Sequence, residues 1–171
     1  MIRKWNIVIP ELSGVEKRRA YVYLPTMYRE QPGRRFPVLY MFDGHNVFFD
    51  SDATYGKSWG MLDWLKATKA PIIVAAVECN HGVNNERLSE YSPFDFDDPH
   101  FGHIKGRGKI TMDWYVNYFK PYVDANFPTL PQREYTFIAG SSMGGLVSAM
   151  TAEKLKERIR GLILLFPAFC M

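Results

Sequence analysis

The stretch Tyr135-Thr136-Phe137-Ile138-Ala139-Gly140-Ser141-Ser142-Met143-Gly144 carries an apolar run directly into the pattern G-x-S-x-G. The five letters recur by chance, so their surroundings decide what they mean. The run at 135–139 reads as a strand covered on both faces, and Gly145 to Arg160 reads as helix, in one piece or two. A serine between such elements sits on a very tight strand-to-helix turn. Side chains flanking it would collide with neighbouring backbone, and Gly140 and Gly144 remove them. The turn lifts the Ser142 hydroxyl above a sheet, with a helix N-terminus behind it that favours developing negative charge. Ser141 fails as an alternative nucleophile, because its frame would need glycines where Ala139 and Met143 stand.

Outward from this turn, the chain reads as alternating strand and helix. Pro37 to Phe42, Pro71 to Val77 and Leu162 to Phe166 are further continuous apolar runs of the parallel-strand kind. Trp5 to Ile9 and Ala20 to Leu24 alternate with polar positions and suggest an outer antiparallel pair. Trp59 to Thr68 and Met112 to Asn126 read as helices. The second has Thr111 as N-cap, Trp114, Tyr118 and Tyr122 at four-residue steps, and Pro121 as a point of kinking. Strand–helix alternation of this kind predicts an α/β fold with a mostly parallel sheet and right-handed crossovers. The loop-rich stretch Asn80 to Lys109 predicts a lid or binding loop.

The 171 residues suit a single domain spanning 1–171. Hydrophobic residues make up 47% and charged residues 23%, which excludes a disordered chain. The formal charge of +3 comes from scattered Lys and Arg without a long basic stripe, so no nucleic-acid partner is expected. No segment approaches a membrane span and no signal peptide is visible, so the expectation is a cytoplasmic protein without a membrane partner. Cys79 and Cys170 border apolar segments and read as small hydrophobes. His100 and His103 beside Asp97 and Asp98 fit no standard zinc spacing. Gly106-Arg107-Gly108-Lys109 lacks the spacing of a phosphate loop. No metal and no cofactor are expected.

Three segments together resemble the esterase D-like family of the α/β-hydrolase superfamily. They are Val38-Leu39-Tyr40-Met41-Phe42-Asp43-Gly44-His45, Lys120-Pro121-Tyr122-Val123-Asp124-Ala125-Asn126-Phe127, and Ala139-Gly140-Ser141-Ser142-Met143-Gly144-Gly145-Leu146. The resemblance runs from about Tyr21 to Phe169. It implies a three-layer α/β-hydrolase sandwich and a serine carboxylester hydrolase that forms an acyl-Ser142 intermediate on a small acyl or carbohydrate ester. It places the oxyanion hole in the backbone N–H groups of Met143 and His45. It brings Asp43, Trp59, Arg87 and Tyr91, with Glu90, toward the substrate. By residue type alone, Trp59 also reads as helix core, and Arg87 with Glu90 as a surface pair.

The family's chain order is Ser, then Asp or Glu, then His. All four histidines here, at 45, 81, 100 and 103, precede Ser142. The expectation is therefore a C-terminally truncated member lacking the last strands, with His45 or His81 as the available stand-in bases. Two functional readings stay open: an active esterase, and a catalytically impaired pseudoenzyme or ligand-binding module of the same fold. With no strand beyond it, the run 162–166 becomes an apolar edge, which predicts homo-oligomer pairing.

Overall fold

The computed structural model describes residues 1–84, 86–154 and 156–165. In chain order the elements begin with strand β1 (Ile2–Val8), the single turn α1 (Pro10–Ser13), β2 (Lys17–Tyr23), the single turn α2 (Met27–Glu30) and β3 (Val38–Met41). A 3-10 turn at Gly44–Asn46 leads to α3 (Met61–Thr68), β4 (Ile73–Val77) and α4 (Glu86–Tyr91). A hairpin of β5 (Phe96–Asp98) and β6 (Gly102–Ile104) precedes α5 (Gly108–Trp114), a π-helical turn at Tyr115–Phe119 and α6 (Lys120–Asn126). The chain then forms β7 (Thr136–Ser141), α7 (Met143–Lys154) and β8 (Gly161–Leu165). Cys170 and the last residue of the run 162–166 lie outside the described residues.

Six strands make one sheet in the order β1-β2-β4-β3-β7-β8. β1 and β2 are antiparallel, β2 meets β4 antiparallel, and β4, β3, β7 and β8 run parallel. This is the mostly parallel sheet with an N-terminal antiparallel pair that the apolar runs predict. Both faces are covered, as side-chain alternation along a strand requires. Val38, Tyr40 and Phe42, with Ile73, Ala75 and Val77, pack against Met112, Tyr115, Phe119, Val123 and Val147. The intervening Leu39, Met41, Val74 and Ala76 pack against Leu65 with Val47 and Phe48. Helices α5 to α7 thus form one layer and α3 the other.

The helices differ in detail from their sequence reading. Thr111 is not an N-cap: the helix starts at Gly108, and the buried Thr111 hydroxyl donates to the Glu90 carbonyl at 2.6 Å. At Pro121 the turn before it widens, with the Lys120 N–H donating to the Tyr115 carbonyl five residues back. Proline has no N–H to give and its ring crowds the carbonyl four residues earlier, which a widened turn relieves. The buried stripe is Tyr115, Phe119 and Val123, while Tyr118 and Tyr122 face solvent. Both stripes step by four, so spacing alone did not choose between them. α3 starts at Met61, after Gly60 in the left-handed region, leaving Trp59 outside the helix.

One buried ion pair ties β2 to α4. Arg18 Nη1 donates to Glu90 Oε1 at 2.5 Å, and both side chains are about 5% exposed or less. Glu90 Oε2 has no partner among the described residues, and burial raises the carboxyl's pKa against the pull of Arg18. Arg87 and Glu90 are therefore not a surface pair. We expect Arg18→Met to cost about 3 kcal/mol in urea denaturation, because a carboxyl is left buried without its cation. Arg18→Met with Glu90→Leu should recover most of that loss. A double variant no more stable than the single one would contradict the account.

Candidate active site at the carboxyl edge of the sheet

Parallel β3, β4 and β7 lie side by side, so the segments leaving their carboxyl ends converge on one edge. From β7 comes the turn at Ser142, whose φ of 55° puts a non-glycine residue in the left-handed region. The strain is held by close contact on both sides. A Cβ on Gly140 would lie 2.1 Å from the Gly144 carbonyl oxygen, and one on Gly144 would lie 2.9 Å from Asp43 Oδ2. Behind the turn, the Gly145 and Leu146 N–H groups donate to the Ser142 carbonyl at 2.8 and 3.1 Å. Met143 opens α7, and its N–H has no hydrogen-bond partner among the described residues. The Ser142 side chain is exposed.

From β3 comes Asp43, fully buried and also left-handed, with φ 55°. Its carboxylate receives a fork from Arg87, Nε to Oδ1 and Nη2 to Oδ2, both at 2.7 Å. The same Nη2 lies 3.5 Å from the Ser141 carbonyl, so one guanidinium links the ends of β3 and β7 to α4. Burial works against the Arg87 charge, but the Asp43 bonds overcome it and hold its pKa above the ordinary range. Tyr91 is 1% exposed and lies under this pair. Its hydroxyl accepts from the Asp43 N–H at 3.2 Å, and its ring packs edge-on to Phe42. It does not reach the cavity surface.

His45 sits in the 3-10 turn after Asp43, with Nε2 3.0 Å from Thr54 Oγ1. Its N–H, like that of Met143, has no partner among the described residues. Nδ1 is buried without a partner, and the His81 ring stands edge-on at 4.4 Å. Burial, followed by the neighbouring His81, lowers the His45 pKa to about 4. The imidazole is thus neutral in the native protein, whereas the unfolded chain takes up a proton below pH 6.5. This contribution to stability is complete above pH 6.5 and falls as pH drops from 6.5 toward 4, by at most about 3 kcal/mol. Urea titrations at stepped pH should show that slope, and His45→Gln should remove this part of it. An unchanged slope in the variant would assign it to other groups.

A cavity of about 630 Å³ opens over this edge. Asp43, His45, Trp59, Arg87 and Ser142 all line it, and Tyr91 does not. Trp59 is 37% exposed and lines the cavity, and its backbone N–H donates to the Asn46 carbonyl at 2.7 Å. Sequence reasoning missed Thr54, Tyr55 and Lys57 on one wall and Phe101 on another. Nothing in their spacing marks them, since they reach the site through loops. Cys79, Asn80 and His81 also line it. Their signal was their position just past β4. His103, which pairs with Asp97 at 2.9 Å in the exposed β5–β6 hairpin, is not among the lining residues.

No helix among the described residues is long and apolar enough to cross a membrane. Residues 14–160 match the family described as "Putative esterase". No curated protein matches the sequence. Solved structures similar to it include an IroE-like serine hydrolase from Shewanella oneidensis, at 16% identity and TM-score 0.68, with 95% of this chain and 49% of that one covered. The BES protein from Bacillus cereus is 18% identical with TM-score 0.67, covering 99% and 62%. A ferulic acid esterase from the anaerobic fungus Anaeromyces mucronatus is 17% identical with TM-score 0.60, covering 94% and 56%. The chain spans between 49% and 62% of the length of these three. With the match covering most of its residues and the sheet, the Ser142 turn and the cavity in these places, the chain belongs to that esterase family and has the α/β-hydrolase fold.

Proposed function

We propose that this chain is a serine carboxylester hydrolase acting through an acyl-serine intermediate on a small acyl or carbohydrate ester. The observation that carries the reading is Ser142 itself: a left-handed serine on a glycine-cleared turn, at the N-terminus of α7, facing a cavity of about 630 Å³. In this reading Ser142 Oγ attacks the ester carbonyl carbon and gives its proton to a base. The carbonyl oxygen becomes an oxyanion between the Met143 and His45 N–H groups, each such donor being worth about 3 kcal/mol. Collapse expels the alcohol and leaves acyl-Ser142, which water then hydrolyses. The Asp43–Arg87 fork holds the two N–H groups in register by fixing both strand ends. Trp59 supplies an apolar wall for the acyl or ring portion of the substrate.

A substrate of this class agrees with the ferulic acid esterase and siderophore hydrolase names of similar structures. The base is the open element. His45 is a poor candidate, with Nε2 held by Thr54 and a pKa near 4. His81 is exposed on the cavity wall and is the better placed of the two. The other reading is a ligand-binding member of the same fold. A fluorophosphonate probe separates them: covalent labelling at Ser142 supports the esterase reading, and none in a folded chain supports the other.

Strand β8 pairs only with β7 in the described sheet, and Leu162, Ile163 and Leu164 are exposed. The proposal includes homo-oligomer pairing along that edge and a cytoplasmic location. Light scattering should then give a mass of twice the chain or more, and a monomer at high concentration would end the pairing idea.

A further inference from the structure

From a side-chain cluster on the wall of the same cavity, we infer that His45, Cys79 and His81 form a binding site for a divalent metal ion of the zinc class. One ring nitrogen of each histidine and the Cys79 sulfur lie within 4.8 Å of one another. Tetrahedral zinc with nitrogen and sulfur ligands sets its donors roughly 3.3–3.8 Å apart. Closing the cluster therefore takes a movement of about an ångström. His81 can supply it, being exposed on the segment that follows β4.

A second observation points the same way. His45 is 2% exposed; one nitrogen is oriented by Thr54 Oγ1 and the other, Nδ1, is buried with no partner. A ligating imidazole has this arrangement, with one nitrogen held by a second group and one left for the ion. Buried polar atoms without partners are rare enough in folded proteins to need a reason. Burial keeps the ring neutral, which is the ligating form.

The donor set selects the ion. Two imidazoles and a thiol do not suit magnesium or calcium, which take oxygen ligands. Zinc accepts this set and needs no electron transfer to bind. Coordination forms a Zn–S bond, breaks the Cys79 S–H bond and releases that proton to solvent. Burial, followed by the neighbouring Asp43, raises the pKa of the Cys79 thiol, so the ion has to displace that proton. Three protein ligands leave the fourth position open, and all three line the cavity, so water or a ligand oxygen can reach it. No sequence spacing announces the site. Adjacent parallel β3 and β4 bring the turn carrying His45 beside the segment carrying Cys79 and His81.

Cobalt(II) is the direct probe, because it takes the same ligands and is coloured. Titrated into the chain, it should give tetrahedral visible bands and a thiolate-to-cobalt charge-transfer band, saturating at one equivalent and displaced by Zn²⁺. His81→Ala, at an exposed position that leaves the core intact, should weaken binding by about tenfold or more. Cys79→Ser should remove the charge-transfer band. The spectrum of hexaaqua cobalt throughout would overturn the inference. So would binding indifferent to His81→Ala but lost in His103→Ala, which would place the ion on the exposed Asp95, Asp97 and His103 cluster. Fluorophosphonate labelling of Ser142 in the unaltered, metal-free chain stays a separate measurement, because a His81 that holds the ion is not free to act as base.

Discussion

Replacing Ser142 with alanine should abolish covalent labelling and lower the turnover of a small aryl ester by about 10³-fold or more. Removing the nucleophile of a serine hydrolase costs up to about 10⁶ in kcat where the base is in place, while oxyanion-hole donors and binding alone retain roughly 10³–10⁴ over water. The smaller figure applies here because His45 has its Nε2 held by Thr54 and its pKa lowered to about 4. Ser141→Ala is the matched control. Ser141 also lines the cavity, yet it belongs to the end of β7, and its loss should leave labelling intact. Equal turnover in Ser142→Ala and the unaltered chain would end the esterase reading. Labelling that follows Ser141 would move the nucleophile by one residue.

Gly140→Ala should be among the most damaging single-methyl changes in the chain, at about 4 kcal/mol by denaturation. The added Cβ would lie 2.1 Å from the Gly144 carbonyl oxygen, 2.3 Å from its carbon and 2.7 Å from Ser148 Oγ. Two of the three are backbone, so no rotamer change relieves the contact, and β7 must separate from α7. That separation also moves Ser142 and the Met143 N–H together, so labelling should fall with stability. Gly33→Ala supplies the comparison: its Cβ meets nothing within 4 Å, and only its left-handed φ of 88° opposes the change. A Gly140 variant as stable as the Gly33 variant would show that the turn is looser than its contacts require.

The Asp43–Arg87 fork links the N–H of His45 to that of Met143 more directly than the sequence suggests. Asp43 Oδ2 lies where a Gly144 side chain would be, so the second glycine of the motif makes room for the carboxylate of another strand. G-x-S-x-G therefore reflects a contact between the first turn of α7 and the segment leaving β3 as well as a turn. Tyr91, which the family resemblance carried toward the substrate, supports that contact from below through the Asp43 N–H.

The sequence by itself determined the strands of the main sheet, the parallel character of four of them and the turn at Ser142, but not α4 or the β5–β6 hairpin within the stretch 80–109, which reads as loop. Continuous apolar runs and glycines cleared of side chains are local properties, set by burial on two faces and by steric limits within a few residues. The tertiary structure decided which stripe of α5 to α6 is buried, because two four-residue stripes are equivalent until a helix is packed. It also decided that Arg87 pairs with Asp43, that Glu90 pairs with Arg18, and that Trp59 lines the cavity. His45, Cys79 and His81 meet for the same reason. Each of these joins segments far apart in the chain through neighbouring strands of the sheet, and strand order is fixed by packing both faces at once rather than by any one segment.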